Sequence, residues 1–207
     1  MRAEGAAVMP RKKRKPTGKG GNKLKIGLIR HYRVLKALPR GALVTGEELR
    51  RWFEEYDEAD IEPGNAALHD SSWARCFSSD MPRAAKTAGH LYRGEIRYLP
   101  ELREIPAPAF RSGLKLPVPL WFALLRTAGW HNRKSRGDIR EAKRRVERIV
   151  DLALAEPQQD TLIVSHAAVM FYLRKELVRR GFRGPSFQIA KNGKLYVFEK
   201  KTETEET

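Results

Sequence analysis

Two short apolar runs in this chain each end on a histidine. Ile26-Gly27-Leu28-Ile29 leads into Arg30-His31, and Leu162-Ile163-Val164 leads into Ser165-His166. An uninterrupted apolar run of this kind reads as a strand buried on both faces, as in a parallel sheet covered by helices on each side. In open α/β sheets ligands gather in the crevice beyond the carboxyl ends of such strands. Two histidines at two strand ends are therefore expected to face one site.

The intervening sequence alternates strand-like and helix-like patterns, which predicts an α/β fold: a three-layer Rossmann-like sheet, mostly parallel, with helices on both faces. After a strand at 26–30, a helix is expected near 45–58, where Thr45 and Glu48 stand at capping-box spacing. A strand near 73–78 leads into a helix near 82–92, with Pro82 at its first position and Ser79 or Asp80 as its cap. An extended piece near 95–99 follows. The prolines at 106, 108, 117 and 119 then predict loops and broken helices forming a lid or pocket wall. A charged helix near 138–155, a strand at 161–165 and a helix at 167–180 complete the sheet. A hairpin is expected last, with 187–189 and 195–198 flanking the turn dipeptide Asn192-Gly193. Trp121 and Phe122 are expected in the core, and Trp130 to Lys134 in a solvated loop beside the pocket, with His131 a minor site candidate.

The formal net charge is +16, and half of it lies in residues 1–25, where nine cations face Glu4 alone. That segment also carries Pro10, Pro16 and a glycine cluster with little apolar bulk to offset the entropy of ordering. Residues 1–24 are accordingly expected to be a disordered basic tail, a candidate for binding nucleic acid or another polyanion, and 10–15 resemble a nuclear import signal. Residues 25–201 form the expected domain, and 202–207 an acidic, frayed end. Cys76 is the single cysteine, which excludes an internal disulfide and agrees with a cytoplasmic setting. No apolar stretch approaches the ~20 residues of a membrane helix, so no membrane association is expected. His69, His90 and His131 lack metal-ligand spacing, and no metal or cofactor is called for.

The segment Ser78 to Ala88 breaks a local rule. Arg83 falls in the first turn of its helix, where the dipole disfavours a cation, and an anion bound at that helix end would explain it. Arg30, His31, Arg83 and His166 together would offer two guanidinium forks and two imidazoles to one concave site, which suits a phosphoryl group. Arg30-His31, the string Ser78-Ser79-Asp80 through Arg83-Ala84 to Thr87-Ala88, and Val164-Ser165-His166 resemble, in this order, the motifs of the histidine phosphatase superfamily. This phosphoglycerate-mutase-like resemblance extends from about residue 26 to the C-terminus.

The resemblance implies that His31 carries the phosphoryl group, that Arg30, Arg83 and His166 hold its oxygens, and that water then releases phosphate. It further implies a glutamate acid in a Leu-x-Glu context, which Leu102-Arg103-Glu104 fits, with Glu101 as rival. Tyr32 stands where the family usually has glycine, and Ala167 replaces the frequent glycine after the second histidine. Tyr32 is therefore expected to narrow the pocket, and Arg33 to add positive charge for substrate. The expected function is metal-independent hydrolysis of a small phosphomonoester through phosphohistidine. The alternatives are a catalytically weak phosphate- or RNA-binding module of the same fold, or a phosphoglycerate-type mutase.

Overall fold

The computed structural model describes residues 23–39, 41, 43–64, 73–107, 112–131, 133–156 and 159–201, with backbone alone at 126 and 128–131. The expected tail over 1–22, the acidic end at 202–207, His69 and Pro108 lie outside the described residues. A five-stranded sheet organises the chain in the order β4-β3-β6-β1-β7. Its strands are β1 (Lys23–Arg30), β3 (Arg75–Ser78), β4 (Ile96–Tyr98), β6 (Thr161–Ser165) and β7 (Leu195–Lys201). The first four run parallel, and β7 joins β1 antiparallel. β2 (Leu43–Val44) and β5 (Leu116–Pro117) form a separate two-stranded ladder. The strand β1 begins earlier than expected: Lys23 and Leu24 belong to it, and Leu24 is buried.

The two-residue period of the strands sorts their side chains into two cores. Ile26, Leu28 and Ile163 pack with α4 (Arg133–Leu154) and α5 (Ala167–Arg179), whose Val146, Ile149, Val150, Met170, Leu173 and Leu177 are buried there. Ile29, Leu162, Val164 and Cys76 face the other way, against Ala84 and Ala88 of α2 (Pro82–Leu91) and against Trp73. All five residues of β6 are buried. The helices thus cover both faces of a mostly parallel sheet, as the apolar runs require. Among the described residues no helix is long and apolar enough to cross a membrane.

α1 (Gly46–Glu58) begins with the expected capping box: Thr45 accepts from the Glu48 amide, and the Glu48 carboxylate accepts from the Thr45 amide. Its stripe of Leu49, Trp52, Phe53 and Tyr56, at helical spacing, packs with Val44, Val118 and Trp121 into a satellite cluster. The proline-bearing region is loop at 104–107, where Pro106 and Ala107 line a cavity wall as expected, and departs from the expected loops only from 116 on. α3 (Val118–His131) forms there, because Pro119 falls in its first turn, where a missing amide costs nothing. α3 runs to His131 and α4 starts at Arg133, so the chain is helical at 130–131 and 133–134 where a loop was expected; position 132 and the side chains at 130–131 lie outside the described residues. Trp121 is buried and donates to the Val44 carbonyl, whereas Phe122 is substantially exposed and not a core residue.

The expected C-terminal hairpin does not form. Residues 187–189 make no ladder; β7 pairs along its length with β1 and on its other side makes a bridge from Glu199 to Arg183. Gly193 does take the expected positive φ (66°), but its amide donates to the Arg30 carbonyl, so the turn closes over the end of β1. Phe187 packs instead on Tyr196, with ring centroids 4.4 Å apart.

Gly27 is required by close packing. A Cβ there would lie 2.5 Å from the Trp73 ring. Gly27→Ala is expected to lower the unfolding free energy by ~1–3 kcal/mol. In a double-mutant cycle with Trp73→Phe, the combined loss should be smaller than the sum of the single losses. Denaturant titrations of the variants check this, and simple additivity would contradict the contact.

Candidate functional site

The parallel register of β1 and β6 opposes Arg30 to Ser165, so the residues that follow, His31 and His166, leave the sheet side by side. The His31 amide donates to the Ser165 carbonyl at 3.0 Å, and the two imidazole centroids stand 5.2 Å apart. Both side chains are buried. Nδ1 of His31 lies 2.7 Å from the Tyr32 carbonyl oxygen. A carbonyl only accepts, so Nδ1 carries the proton and Nε2 keeps its lone pair.

His166 begins α5 and places Nε2 2.9 Å from Ser79 Oγ. Ser79 Oγ also accepts from the Met81 amide at 3.2 Å. A chain from the Met81 N–H through the Ser79 hydroxyl to His166 Nε2 satisfies each group and puts the imidazole proton on Nδ1, which has no partner among the described residues. This use of Ser79 corrects its expected role as a helix cap. The cap position of α2 is Met81, with no side-chain bond, and Asp80 instead pairs with Arg103.

Arg83 occupies the first turn of α2, as expected, and is almost fully buried. Asp57 at the end of α1 accepts from its Nη1 at 2.7 Å, and the guanidinium lies 5.4 Å from the Tyr56 ring centroid. Arg30 donates from Nη1 to the Ala190 carbonyl at 3.1 Å. The Nε atoms of Arg30 and Arg83 are buried without a partner among the described residues. Unpaired buried donors on two guanidinium groups and an imidazole are costly in an isolated protein, and an anion accepting from them removes that cost.

Glu104 reaches the same place by a separate tether. Ser165 Oγ donates to the Leu102 carbonyl at 2.9 Å, and the Leu99 amide donates to the Ser78 carbonyl at 2.8 Å. These bonds pin the segment around a short 3-10 turn, Pro100–Leu102, against the strand ends. The Glu104 carboxylate then accepts from the amides of Ile105 (3.0 Å), Ala168 (3.3 Å) and Val169 (3.3 Å). It thus caps α5 from outside the helix, a role that His166 does not fill with its side chain.

A cavity of about 940 Å³ opens over this group, and Arg30, His31, Arg83 and Glu104 line it. His166 is fully buried beside the His31 ring and is not among the residues that line the cavity. Arg33 lines the wall farther out, exposed and 3.7 Å from Glu62. Glu101 does not line the cavity, and the His131 side chain lies outside the described residues. The expectation for Tyr32 is corrected: its ring is buried against Gly64 and Gly193, beside a smaller pocket of about 260 Å³, and leaves the main cavity wide. Its amide donates to Thr87 Oγ1 at 2.9 Å, which ties the chain after His31 to α2. Asp57, Tyr56 and Asn192 were not singled out as site residues by sequence. Asn192 donates to the His31 carbonyl at 2.8 Å, and its only sequence signal was that of a turn residue.

Burial dominates the titration of both histidines. It lowers His31 from 6.5 to about 3, with Arg83 and Arg30 adding to the effect and the Tyr32 carbonyl opposing it. His166 lies well below 6.5 for the same reason, with Arg83, His31 and Arg30 contributing. Glu104 is displaced upward by burial, against the pull of its three amide donors and Arg83. Both imidazoles are therefore neutral near pH 7, and the carboxyl holds a proton more readily than a solvated glutamate.

A family model described as histidine phosphatase superfamily (branch 1) matches residues 57–206, and the chain belongs to that superfamily. The match begins after Arg30-His31, whose inclusion in the site rests on the β1–β6 register. Solved structures share the fold. A candidate alpha-ribazole-5'-P phosphatase from Escherichia coli aligns with a TM-score of 0.53 at 17% identity, over 86% of this chain and 95% of that one. The alpha-ribazole phosphatase from Shigella flexneri gives 0.52 at 21%, covering 84% and 89%. An open reading frame product of Mycobacterium tuberculosis gives 0.52 at 16%, covering 84% and 90%. Such identities speak for the fold alone. No curated protein matches the chain significantly.

The low His31 value has a testable sign. The unfolded chain takes up a proton near 6.5 and the folded chain only near 3, so this contribution to stability is complete above pH 6.5 and is lost as pH falls toward 3. His31→Gln is expected to reduce the pH dependence of unfolding between pH 5.5 and 4.5 by ~1.4 kcal/mol per pH unit. Denaturant melts at several pH values check this, and identical slopes for parent and variant would contradict a neutral, buried imidazole.

Proposed function

We propose that the protein is a metal-independent phosphatase that hydrolyses a phosphomonoester through a phosphohistidine at His31. The observation that carries this reading is the His31 tautomer: the Tyr32 carbonyl holds the proton on Nδ1, leaving the Nε2 lone pair at the floor of a cavity that also contains Arg30 and Arg83. In the first step Nε2 bonds to phosphorus as the ester P–O bond breaks. Nδ1–H stays on the Tyr32 carbonyl and stabilises the positive charge of the phosphorylated ring. Arg30 and Arg83 donate to the phosphoryl oxygens from the cavity lining, and binding of the ester brings one oxygen within reach of the buried Nδ1–H of His166, since phosphoryl transfer depends chiefly on positioning and charge stabilisation.

Glu104 gives its proton to the leaving alkoxide. In the second step it takes a proton from water, whose oxygen bonds to phosphorus as the P–N bond breaks, and inorganic phosphate departs. The upward displacement of Glu104 supports the acid role, since the residue must start protonated. Its bonds to the α5 amides give it a structural role as well. The dependence on leaving group separates the two. Glu104→Gln should slow the first turnover of an alkyl phosphate by roughly 100-fold or more while leaving the initial burst of nitrophenolate from p-nitrophenyl phosphate near the parent rate, because nitrophenolate departs without a proton. Equal slowing of both would leave only the cap. His31→Ala should abolish turnover of both esters, and a chelator should leave the parent rate unchanged.

A further inference from the structure

The cavity over His31, about 940 Å³ in volume, is far larger than a phosphoryl group, and its two ends differ in chemistry. The floor holds Arg30, His31, Arg83 and Glu104, while the outer wall carries Tyr56, Trp52, Phe53 and Phe122. These rings form a continuous path outward from His31. Successive centroids are 6.5 Å apart from His31 to Tyr56, 5.1 Å to Trp52, 5.3 Å to Phe53 and 6.3 Å to Phe122. Three of the four come from the apolar stripe of α1, and the last from α3. At the outer end Phe122 is 38% exposed and Leu38 42%, so apolar surface borders the mouth of the cavity.

The cations of the wall are differently disposed. Arg33 is paired with Glu62, Lys36 with Glu55, and Arg103 with Asp80 through two bonds of 2.7 and 2.5 Å. A carboxylate or second phosphate on a substrate would meet cations that already have acidic partners. A flat uncharged group would meet aromatic side chains, where ring contacts and loss of apolar surface both favour it.

We propose that the phosphomonoester taken here carries an uncharged aromatic leaving group seated along Tyr56, Trp52, Phe53 and Phe122, with Phe53 and Phe122 setting the preference. This rests on the phosphatase reading for its chemistry, but its test is a binding measurement. Calorimetry on the His31→Ala protein, which has no phosphoryl acceptor, compares 1-naphthyl phosphate, 3-phosphoglycerate and inorganic phosphate. His31→Asn serves should the alanine protein not fold. Naphthyl phosphate is expected to bind at least about tenfold more tightly than 3-phosphoglycerate, as one well-placed aromatic contact allows.

Adding Phe53→Ala and Phe122→Ala should remove most of that difference and leave inorganic phosphate unaffected, and Phe122→Leu should remove less of it. Equal affinities, a preference that survives both alanines, or no measurable naphthyl phosphate binding would overturn the proposal. Aromatic preference in binding without hydrolysis of any ester by the parent would instead sink the phosphatase reading alone. Hydrolysis with 3-phosphoglycerate preferred would sink the substrate assignment alone.

Discussion

The parallel pairing of β1 with β6 is the constraint from which the rest of the site follows. One register, with Arg30 opposite Ser165, brings two chain segments 135 positions apart to a common end and leaves His31 and His166 as neighbours. The same strand ends hold the other parts. Ser165 tethers the segment bearing Glu104, Gly193 closes on the Arg30 carbonyl, and Ser78 anchors Leu99. A one-residue slip would invert both faces of β1 and send its histidine away from His166. The register is secured by apolar side chains on both faces of the sheet, so the geometry of the site is a by-product of core packing.

Burial then does the electrostatic work. Two imidazoles placed beside Arg30 and Arg83 cannot readily accept protons, so they stay neutral where a solvated histidine would titrate. The cost of holding like-charged and unpaired donors together is offset in the bare protein by Asp57 on Arg83 and by the Ala190 carbonyl on Arg30. The remaining donors favour an anion. Membership of the histidine phosphatase superfamily fits this arrangement, and aromatic side chains from α1 and α3 line the rest of the cavity.

Much of this was legible in the sequence where the signal was local. Uninterrupted apolar runs marked β1 and β6, Thr45 with Glu48 marked the start of α1, and Pro82 marked the start of α2. Arg83 stood out because it sat where its helix disfavours a cation. Contacts set by tertiary structure left no such mark. Asp57 is one acid among several on α1, and nothing in its neighbours announces that it meets Arg83 across 26 positions. Ser79 looked like a helix cap until His166 competed for its hydroxyl. Asn192-Gly193 carried a correct turn signal, but the partner strand was β1 and not residues 187–189. The proline rule misjudged α3 because a proline in the first turn obeys the helix it seemed to forbid.

The central claim is that His31 forms a covalent bond to phosphorus. Rapid mixing of the protein with a ³²P-labelled phosphomonoester, quenching in alkali to preserve an acid-labile phosphoramidate, and peptide mapping would test it most directly. The expected result is label on the peptide containing His31, formed before phosphate is released and absent from His31→Ala. Steady release of phosphate by the parent with no label on His31 at any time would contradict it.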